Sequence, residues 1–464
     1  IPYLEEVTNQ NKYDKEALYE LGRAYHLTLR FDKAIEYYKK YLAQSGTKIQ
    51  NAERQMEMCN NGKKLIQNPL NVTFENLGSN INSPYPDFSP FIPEDESYLV
   101  FTSRRKGNRG NLMDYDGLFT SDVYMSFVKG GIFDNAQNLS ILNTEADEEA
   151  AGISPDGNNI LVFIDDVYQN IFGNIYIASK KGKSFQPLIS IGENVNTSTN
   201  IETAASLTPD NKLLYFASDR AGGYGGTDLY VSNRLPDGEW GLPLNLGTEI
   251  NTKYNEDYPS ISYDGNTLYF SSEGHTSMGG YDLFVTKYDS LSEKWEMPSN
   301  IGYPVNTPDD NMNISFSSAW DNDAETTHNK YAYLSAYRKE GFGDLDIYRV
   351  TFNKVEERLT VIRGVIMAKI PVDNSTYKTF HHYEKDSVKI SVPDECFPWF
   401  DGSWHLVKEE KTKIKPGFEL RTNLYFTKDG QEKIFSSNKY PKGKADGYEF
   451  IKIKTTQVKI PNYI

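Results

Sequence analysis

The chain has 464 residues and a formal net charge of −15 at pH 7, which argues against nucleic acid or an anionic membrane surface as a partner, since phosphate groups are bound by basic faces. Its two cysteines, Cys59 and Cys396, are too few and too far apart for a disulfide framework or a metal–thiolate site. No apolar run reaches the roughly 18 residues of a transmembrane helix, so we expect a chain that is soluble as it stands, with any export signal or lipid anchor removed or outside it.

Residues 1–66 have the residue spacing of paired helices. Small and aromatic residues recur at positions that fit one tetratricopeptide unit: Leu18, Leu21, Gly22, Tyr25, Ala34 and Tyr38. The segment therefore resembles a tetratricopeptide repeat. A lone unit exposes the faces on which further units would stack, so we expect these helices to pack on the adjacent domain or on a partner.

A longer pattern repeats five times between residues 67 and 355. Its Asn-Ser/Thr step recurs every 53 to 61 residues, at Asn82, Asn143, Asn196, Asn251 and Asn306. Between these steps, runs that alternate apolar and polar residues are bounded by glycine turns, which indicates about four short antiparallel strands per copy. One twisted sheet of four strands cannot bury its own faces, so the sequence predicts a mostly β fold built on a five-bladed β-propeller.

The fifth copy lacks an obvious fourth strand. Residues 70–77, just before the first copy, look like the outer strand that ends copy four, so we expect this N-terminal strand to complete the last blade. The turns Ser154-Pro155-Asp156-Gly157 and Thr208-Pro209-Asp210 make residues 70–353 similar to the WD-repeat-like "Pro-Asp" propellers related to the TolB propeller.

Residues 356–464 contain further alternating segments separated by turn residues, which predicts a C-terminal β-sandwich. The run from Val361 to Ile366 resembles the start of carboxypeptidase regulatory-like domains, although the segment around Cys396 departs from them.

The order of these three domains resembles a group of Bacteroidetes cell-envelope proteins, some tied to type IX secretion and gliding. The resemblance implies a periplasmic protein associated with the outer membrane, whose partners are outer-membrane or secretion-machinery proteins and, indirectly, peptidoglycan. Members of that group often end in an OmpA-like domain, and no such segment is visible in this sequence.

One acidic position recurs just before the inner strand of four copies. When the copies are aligned on Asp-Gly, this position holds Glu148, Glu202, Glu256 and Asp309, with Glu149 and Asp257 next to two of them. A ring of carboxylates at the mouth of the central channel could hold a hard cation or a basic or sugar ligand. Alternatively, each acid satisfies backbone amides or pairs with a residue such as Arg220 within its own blade. Whether a metal binds is left open.

A second acidic position opens the third strand of four copies: Asp122, Asp228, Asp282 and Asp346. The Gly-Gly steps before it lead into strands rather than helices, so the amide cradle of a nucleotide site is missing. We expect these aspartates to brace turns by accepting hydrogen bonds from backbone amides.

Catalytic patterns are sparse. No histidine stands at metal-ligand spacing with a partner except the adjacent His381 and His382, which cannot readily point to one site from a strand. No Gly-x-Ser-x-Gly elbow occurs. We therefore expect a non-enzymatic scaffold without a cofactor that mediates protein–protein interactions in a cell-envelope assembly. The alternative is a periplasmic propeller that binds or hydrolyses glycans through a carboxylate-lined channel, as pairs of acids can do.

Overall fold

The computed structural model describes residues 1–44, 48–166, 171–182, 184–317 and 330–353, and seven strands between residues 365 and 454. Two compact units are present, Ile1–Lys354 and Val355–Ile464. The first unit holds four helices and the propeller.

The helices are α1 (Pro2–Gln10), α2 (Lys15–Leu27), α3 (Phe31–Ala43) and α4 (Ile49–Leu65). Helix α2 begins after Asp14, whose carboxylate accepts a hydrogen bond from the Ala17 amide and so caps the first turn. The apolar stripes of the helices meet in one core. There a Cβ on Gly22 would lie 2.8 Å from the ring of Tyr38, so only glycine lets α2 and α3 approach this closely.

The propeller is built of five sheets. Blade one contains β2 (Asp87–Phe91), β3 (Tyr98–Ser103), β4 (Asp122–Lys129), β5 (Ile132–Phe133) and β6 (Gln137–Asn138). Blade two contains β7 (Asp147–Ile153), β8 (Asn159–Asp166), β9 (Ile171–Lys181), β10 (Ser184–Phe185) and β11 (Ile189–Ser190). Blade three contains β12 (Glu202–Leu207), β13 (Leu213–Ser218), β14 (Asp228–Asn233) and β15 (Leu244–Asn245). Blade four contains β16 (Glu256–Ile261), β17 (Thr267–Ser272), β18 (Asp282–Asp289), β19 (Lys294–Trp295) and β20 (Ser299–Asn300).

Blade five joins both ends of the propeller. It contains β21 (Ile314–Phe316), β22 (Lys330–Ala336), β23 (Asp346–Phe352) and, as its outer strand, β1 (Val72–Asn76). Strand β1 runs antiparallel to β23, with Phe74 opposite Val350, so the ring is closed by hydrogen bonds between distant parts of the sequence. The predicted mostly β fold with a five-bladed propeller is confirmed.

Apolar side chains from each pair of neighbouring blades form a shared core, as in the cluster of Leu161, Ile175, Leu214 and Phe216 between blades two and three. Each described inner strand of blades one to four also contains a register shift, for example between Glu202 and Ala205. Such a bulge redirects the side chains that follow it.

The second unit is described by its strands alone: β24 (Val365–Pro371), β25 (Tyr377–His381), β26 (Lys389–Pro393), β27 (His405–Glu410), β28 (Asn423–Lys428), β29 (Gln431–Ser436) and β30 (Tyr448–Lys454). They pair as β24–β30, β25–β26 and β27–β28–β29. Residues 361–364 and Cys396 lie outside the described residues, and the sandwich stays a prediction.

Candidate functional site

The Asn of each Asn-Ser/Thr step joins one blade to the next. The side chain of Asn196 donates to the Ile175 carbonyl at 2.7 Å and accepts from the Ile175 amide at 2.9 Å. The other four form the same pair of contacts with the third strand of the preceding blade: Asn82, Asn143, Asn251 and Asn306. The clamp fixes the loop that carries the next acidic residue.

Three fully buried glutamates lie at the start of the inner strands: Glu148, Glu202 and Glu256. In blade four the amide of Thr252 donates to Glu256 Oε2 at 2.7 Å, while the hydroxyls of Thr252 and Ser272 donate to Oε1 at 2.8 and 2.6 Å. In blades two and three the amides of Thr144 and Thr197 donate to the glutamate at 2.7 and 3.0 Å. Each carboxylate therefore organises the loop of its own blade.

The equivalent position differs in the other two blades. Asp87 accepts from the Ser83 amide at 2.6 Å in blade one, and the Asn311 side chain accepts from the Thr307 amide at 2.6 Å in blade five. The structure thus places Asn311, not Asp309, alongside the glutamates. Asp309 is exposed and lines a cleft at the edge of blade five.

Burial dominates the electrostatics of this ring. It raises the pKa of Glu148 and of Glu256 to about 7, despite the hydrogen bonds that favour the charged forms. It also raises the pKa of Glu202, where the positive charge of Arg220 opposes the shift. In these contacts each acid accepts hydrogen bonds from its own blade, as in the alternative to a ligand-binding ring given above. A ligand at the ring stays a prediction.

An arginine faces the acid in two of the blades. Arg220 Nη2 donates to Glu202 Oε1 at 3.2 Å, and Arg105 pairs with Asp87. Each guanidinium also donates to the carbonyl that precedes the clamp asparagine, on Val195 and Ile81 respectively. In blade four the ring of His275 makes this last contact, with Ile250, at 2.8 Å.

The four aspartates that open the third strands hold the preceding loops. Asp228 accepts from the amides of Tyr224 and Gly225 at 2.7 and 3.0 Å, and from the side chain of Asn245 at 2.7 Å. Asp122, Asp282 and Asp346 likewise accept from a loop amide and an outer-strand asparagine. These contacts brace turns.

A second pair of acids directly follows two of the ring glutamates in the sequence. Burial raises the pKa of Glu149 on blade two to about 7, and the negative charge of Asp257 on blade four adds to that shift. Burial also raises the pKa of Asp257 to about 6, although the hydroxyl of Thr203 donates to it at 2.6 Å. Successive side chains of a strand point to opposite faces. The residue after each ring glutamate is therefore expected to point away from the face that the glutamate occupies.

Metal binding finds no support among the described residues, because no group of three or more His, Cys, Asp or Glu side chains there is arranged to hold an ion.

The helices cover the loop face of blade four. Arg54 Nη2 on α4 donates to the Gly274 carbonyl at 2.8 Å, and Asn61 donates to the Ser277 carbonyl at 3.0 Å. His26 Nε2 lies 2.8 Å from the Met278 carbonyl, and the Met278 side chain is fully buried in the helical core. Of the two expected surfaces for the helices, the adjacent domain and a partner, these contacts use the adjacent domain, at blade four.

A cleft of about 850 Å³ opens beside the covered blade. It runs from Leu29, in the turn between α2 and α3, to the loops of blade five, including Asp309 and Arg338.

No helix among the described residues has the length and apolar character needed to cross a membrane.

No family model matches the protein, and no curated protein matches it. Among solved structures, it is similar to TolB from Acinetobacter baumannii, at 12% identity and a TM-score of 0.34 over 65% of this chain and 69% of that one. It is also similar to a glycoside hydrolase, at 8% identity and a TM-score of 0.41 over 64% and 95% of the two chains. An α-L-arabinofuranosidase from Lactobacillus brevis gives 10% identity and a TM-score of 0.37 over 61% and 93%.

Proposed function

We propose that this protein is a non-enzymatic scaffold that binds other proteins of a cell-envelope assembly in the periplasm, at the outer membrane, through the loop face of its propeller. The domain order described above supports the location and an assembly of the type IX secretion or gliding kind. In this proposal the N-terminal helices are a tetratricopeptide unit and the C-terminal unit is a regulatory-like sandwich.

One observation carries the scaffold function: large apolar side chains are exposed on the loops between the second and third strands of three blades. They are Leu112, Met113 and Tyr115 on blade one, Tyr224 on blade three, and Tyr337 and Phe342 on blade five, with exposed fractions of 46 to 105%. Equivalent loops of a propeller lie at one end, so these side chains share the face that the helices cover at blade four. Aromatic residues and methionine are enriched in the cores of protein interfaces.

The test is affinity purification of the tagged protein from crosslinked native envelopes, followed by mass spectrometry. The loop-face variant carries Tyr115→Ser and Tyr337→Ser. The matched control carries Leu242→Ser and Met297→Ser, which remove two apolar side chains of 79 and 69% exposure from the outer strand regions of blades three and four. The scaffold function predicts stoichiometric envelope partners that the loop-face variant loses and the control retains. Recovery of the protein alone, or equal loss in both variants, contradicts it.

A second function is favoured by the acids that follow two of the ring glutamates. Glu149 and Asp257 have pKa values raised to about 7 and about 6, so one can hold a proton while the other is ionised, as acid–base cleavage of a glycosidic bond requires. Release of nitrophenol from a panel of 4-nitrophenyl glycosides, abolished by both Glu149→Gln and Asp257→Asn, would support glycan hydrolysis. Turnover that survives either change would exclude these acids as catalysts.

A further inference from the structure

Blade five has the arginine of the loop-face acid–arginine pair but lacks the acid. Strand register makes the blades comparable, since Ser103 pairs with Asp122, Ser218 with Asp228, and Ala336 with Asp346. Two residues after the first member of each pair stand three equivalent arginines: Arg105, Arg220 and Arg338.

In blade three the arginine has partners for both its Nε and its terminal nitrogens. Arg220 Nε donates to the Ser218 hydroxyl at 3.0 Å, and Nη2 donates to Glu202 at 3.2 Å. Blade five has Ala336 in place of the serine and Asn311 in place of the acid. Both of these acceptors are therefore missing around Arg338.

Arg338 accordingly has no paired counter-charge. Within the part of the sequence that the structure describes, its guanidinium makes no hydrogen bond or ion pair, and its Nε is buried without an acceptor. The guanidinium instead lies 3.3 Å from the centroid of the Phe74 ring on β1. Burial lowers the pKa of Arg338 from its usual value, and the negative charge of Glu340 offsets this only in part, because a partly buried cation without a direct partner is unfavourable.

The cleft of about 850 Å³ gives a ligand access to Arg338. Its walls include the apolar side chains of Leu29, Phe74, Tyr303 and Met312. Exposed charges on the rim are mostly negative: Asp309, Asp310, Glu340 and Asp344, against Lys339. Such a rim repels polyanions, whereas one carboxylate next to an apolar side chain matches both the arginine and the walls.

We propose that this cleft binds a peptide carboxylate flanked by apolar side chains, and that the carboxylate pairs with Arg338 as Glu202 pairs with Arg220. The carboxylate comes from the C-terminus of the peptide or from an acidic side chain within it. The proposal deepens the scaffold function and rests on it for the peptide nature of the ligand. The two can fail separately, because binding of a peptide to purified protein involves no envelope component.

The test is isothermal titration calorimetry of the purified full-length protein with three short peptides: acetyl-Ala-Leu-Phe with a free carboxylate, the same peptide amidated, and amidated acetyl-Leu-Phe-Glu. A charge-assisted pair predicts that at least one carboxylate peptide binds about tenfold or more tightly than the neutral amide. Preference for the first identifies a C-terminus as the ligand, and preference for the third identifies an acidic side chain. Equal binding of all three peptides, or binding of none, overturns the proposal.

Two variants address the residues. Arg338→Gln should abolish the preference for carboxylate. Asn311→Glu introduces the residue that stands at this position in blades two to four. The new carboxylate should form an ion pair with Arg338, which should raise the melting temperature and likewise abolish the preference for carboxylate peptides. Arg234→Gln, which changes an exposed arginine on the outer part of blade three, should bind like the wild type. Retained carboxylate preference in a folded Asn311→Glu variant contradicts the proposed site.

Discussion

Blades three and five share a strand order and a clamp asparagine but differ in how their loop face is completed. In blade three, Glu202 and Arg220 lie 3.2 Å apart, with exposed side-chain fractions of 0 and 14%. In blade five the acid is replaced by Asn311, and Arg338 faces a cleft. The contrast shows that the contacts that build a blade are separable from those that fill its loop face.

The largest expected effect comes from breaking the pair in blade three. Glu202→Ala leaves the largely buried side chain of Arg220 without its counter-charge, and removal of one member of a buried ion pair typically costs about 3–5 kcal/mol. We expect a loss of that order in the free energy of unfolding, measured by urea titration. Asn311→Ala, at the equivalent position of blade five, removes only the hydrogen bonds from Thr307 and should cost about 1 kcal/mol. Equal losses for the two variants would refute the distinction between the blades.

The next prediction compares blade three with blade four, whose buried glutamate, Glu256, has no arginine partner. Burial raises the pKa of Glu256 to about 7, so the folded protein keeps this proton to a higher pH than the unfolded protein does. Folding therefore becomes less favourable as pH rises from about 4.5 to 7, by on the order of 3 kcal/mol for this group. Glu256→Gln removes that component.

The measurement is the difference in unfolding free energy between Glu256→Gln and the wild type at pH 5 and at pH 8. We expect the difference to move in favour of the variant as the pH rises. Glu202→Gln is the matched control, since Arg220 stabilises the ionised form of Glu202 and the corresponding change with pH should be smaller. A difference for Glu256→Gln that does not change with pH would show that Glu256 ionises normally in the folded protein.

The blades were predictable because the residues that recur in the sequence are the ones that form the contacts between and within blades. The asparagine that recurs along the sequence is the one that clamps adjacent blades, as Asn196 does with Ile175, so its spacing reports the spacing of the blades. The aspartates that open the third strands recur for a similar reason. A residue required once per blade by backbone geometry leaves a periodic trace in the sequence.

The candidate site was less predictable for a physical reason. Aligning the copies on Asp-Gly selected Asp309, because the sequence of copy five has no Asp-Gly after its inner strand and the inner strands of blades one to four contain bulges that shift the count. Counting four residues forward from the Ser/Thr of the clamp step finds the correct residue in four blades, since Asn311 follows Thr307 as Glu256 follows Thr252. In blade three the count is five, from Thr197 to Glu202. The break in blade five is then visible as an asparagine where the other blades have acids.

The smallest expected effect tests the two arginines directly. Arg220→Gln removes the charged partner of Glu202, which keeps its bonds from Thr197 and Ser218 and, because burial raises its pKa, can take up a proton. We expect a cost of about 1–3 kcal/mol in the free energy of unfolding, the range for hydrogen bonds to charged groups.

Arg338→Gln should change the free energy of unfolding by less than about 1 kcal/mol. The contact with Phe74 that it loses contributes about 0.5–1 kcal/mol at exposed sites and about 2 kcal/mol at desolvated ones, and the gain from no longer burying an unpaired cation offsets it. Urea titration of both variants at pH 7 gives the comparison. A residue that contributes little to stability although it is half-buried and charged is one whose chemistry is available to a ligand, so a near-zero effect at Arg338 and a clear loss at Arg220 together support binding at blade five. If Arg338→Gln were as costly as Arg220→Gln, Arg338 would have a structural role, and the contrast between the blades would disappear.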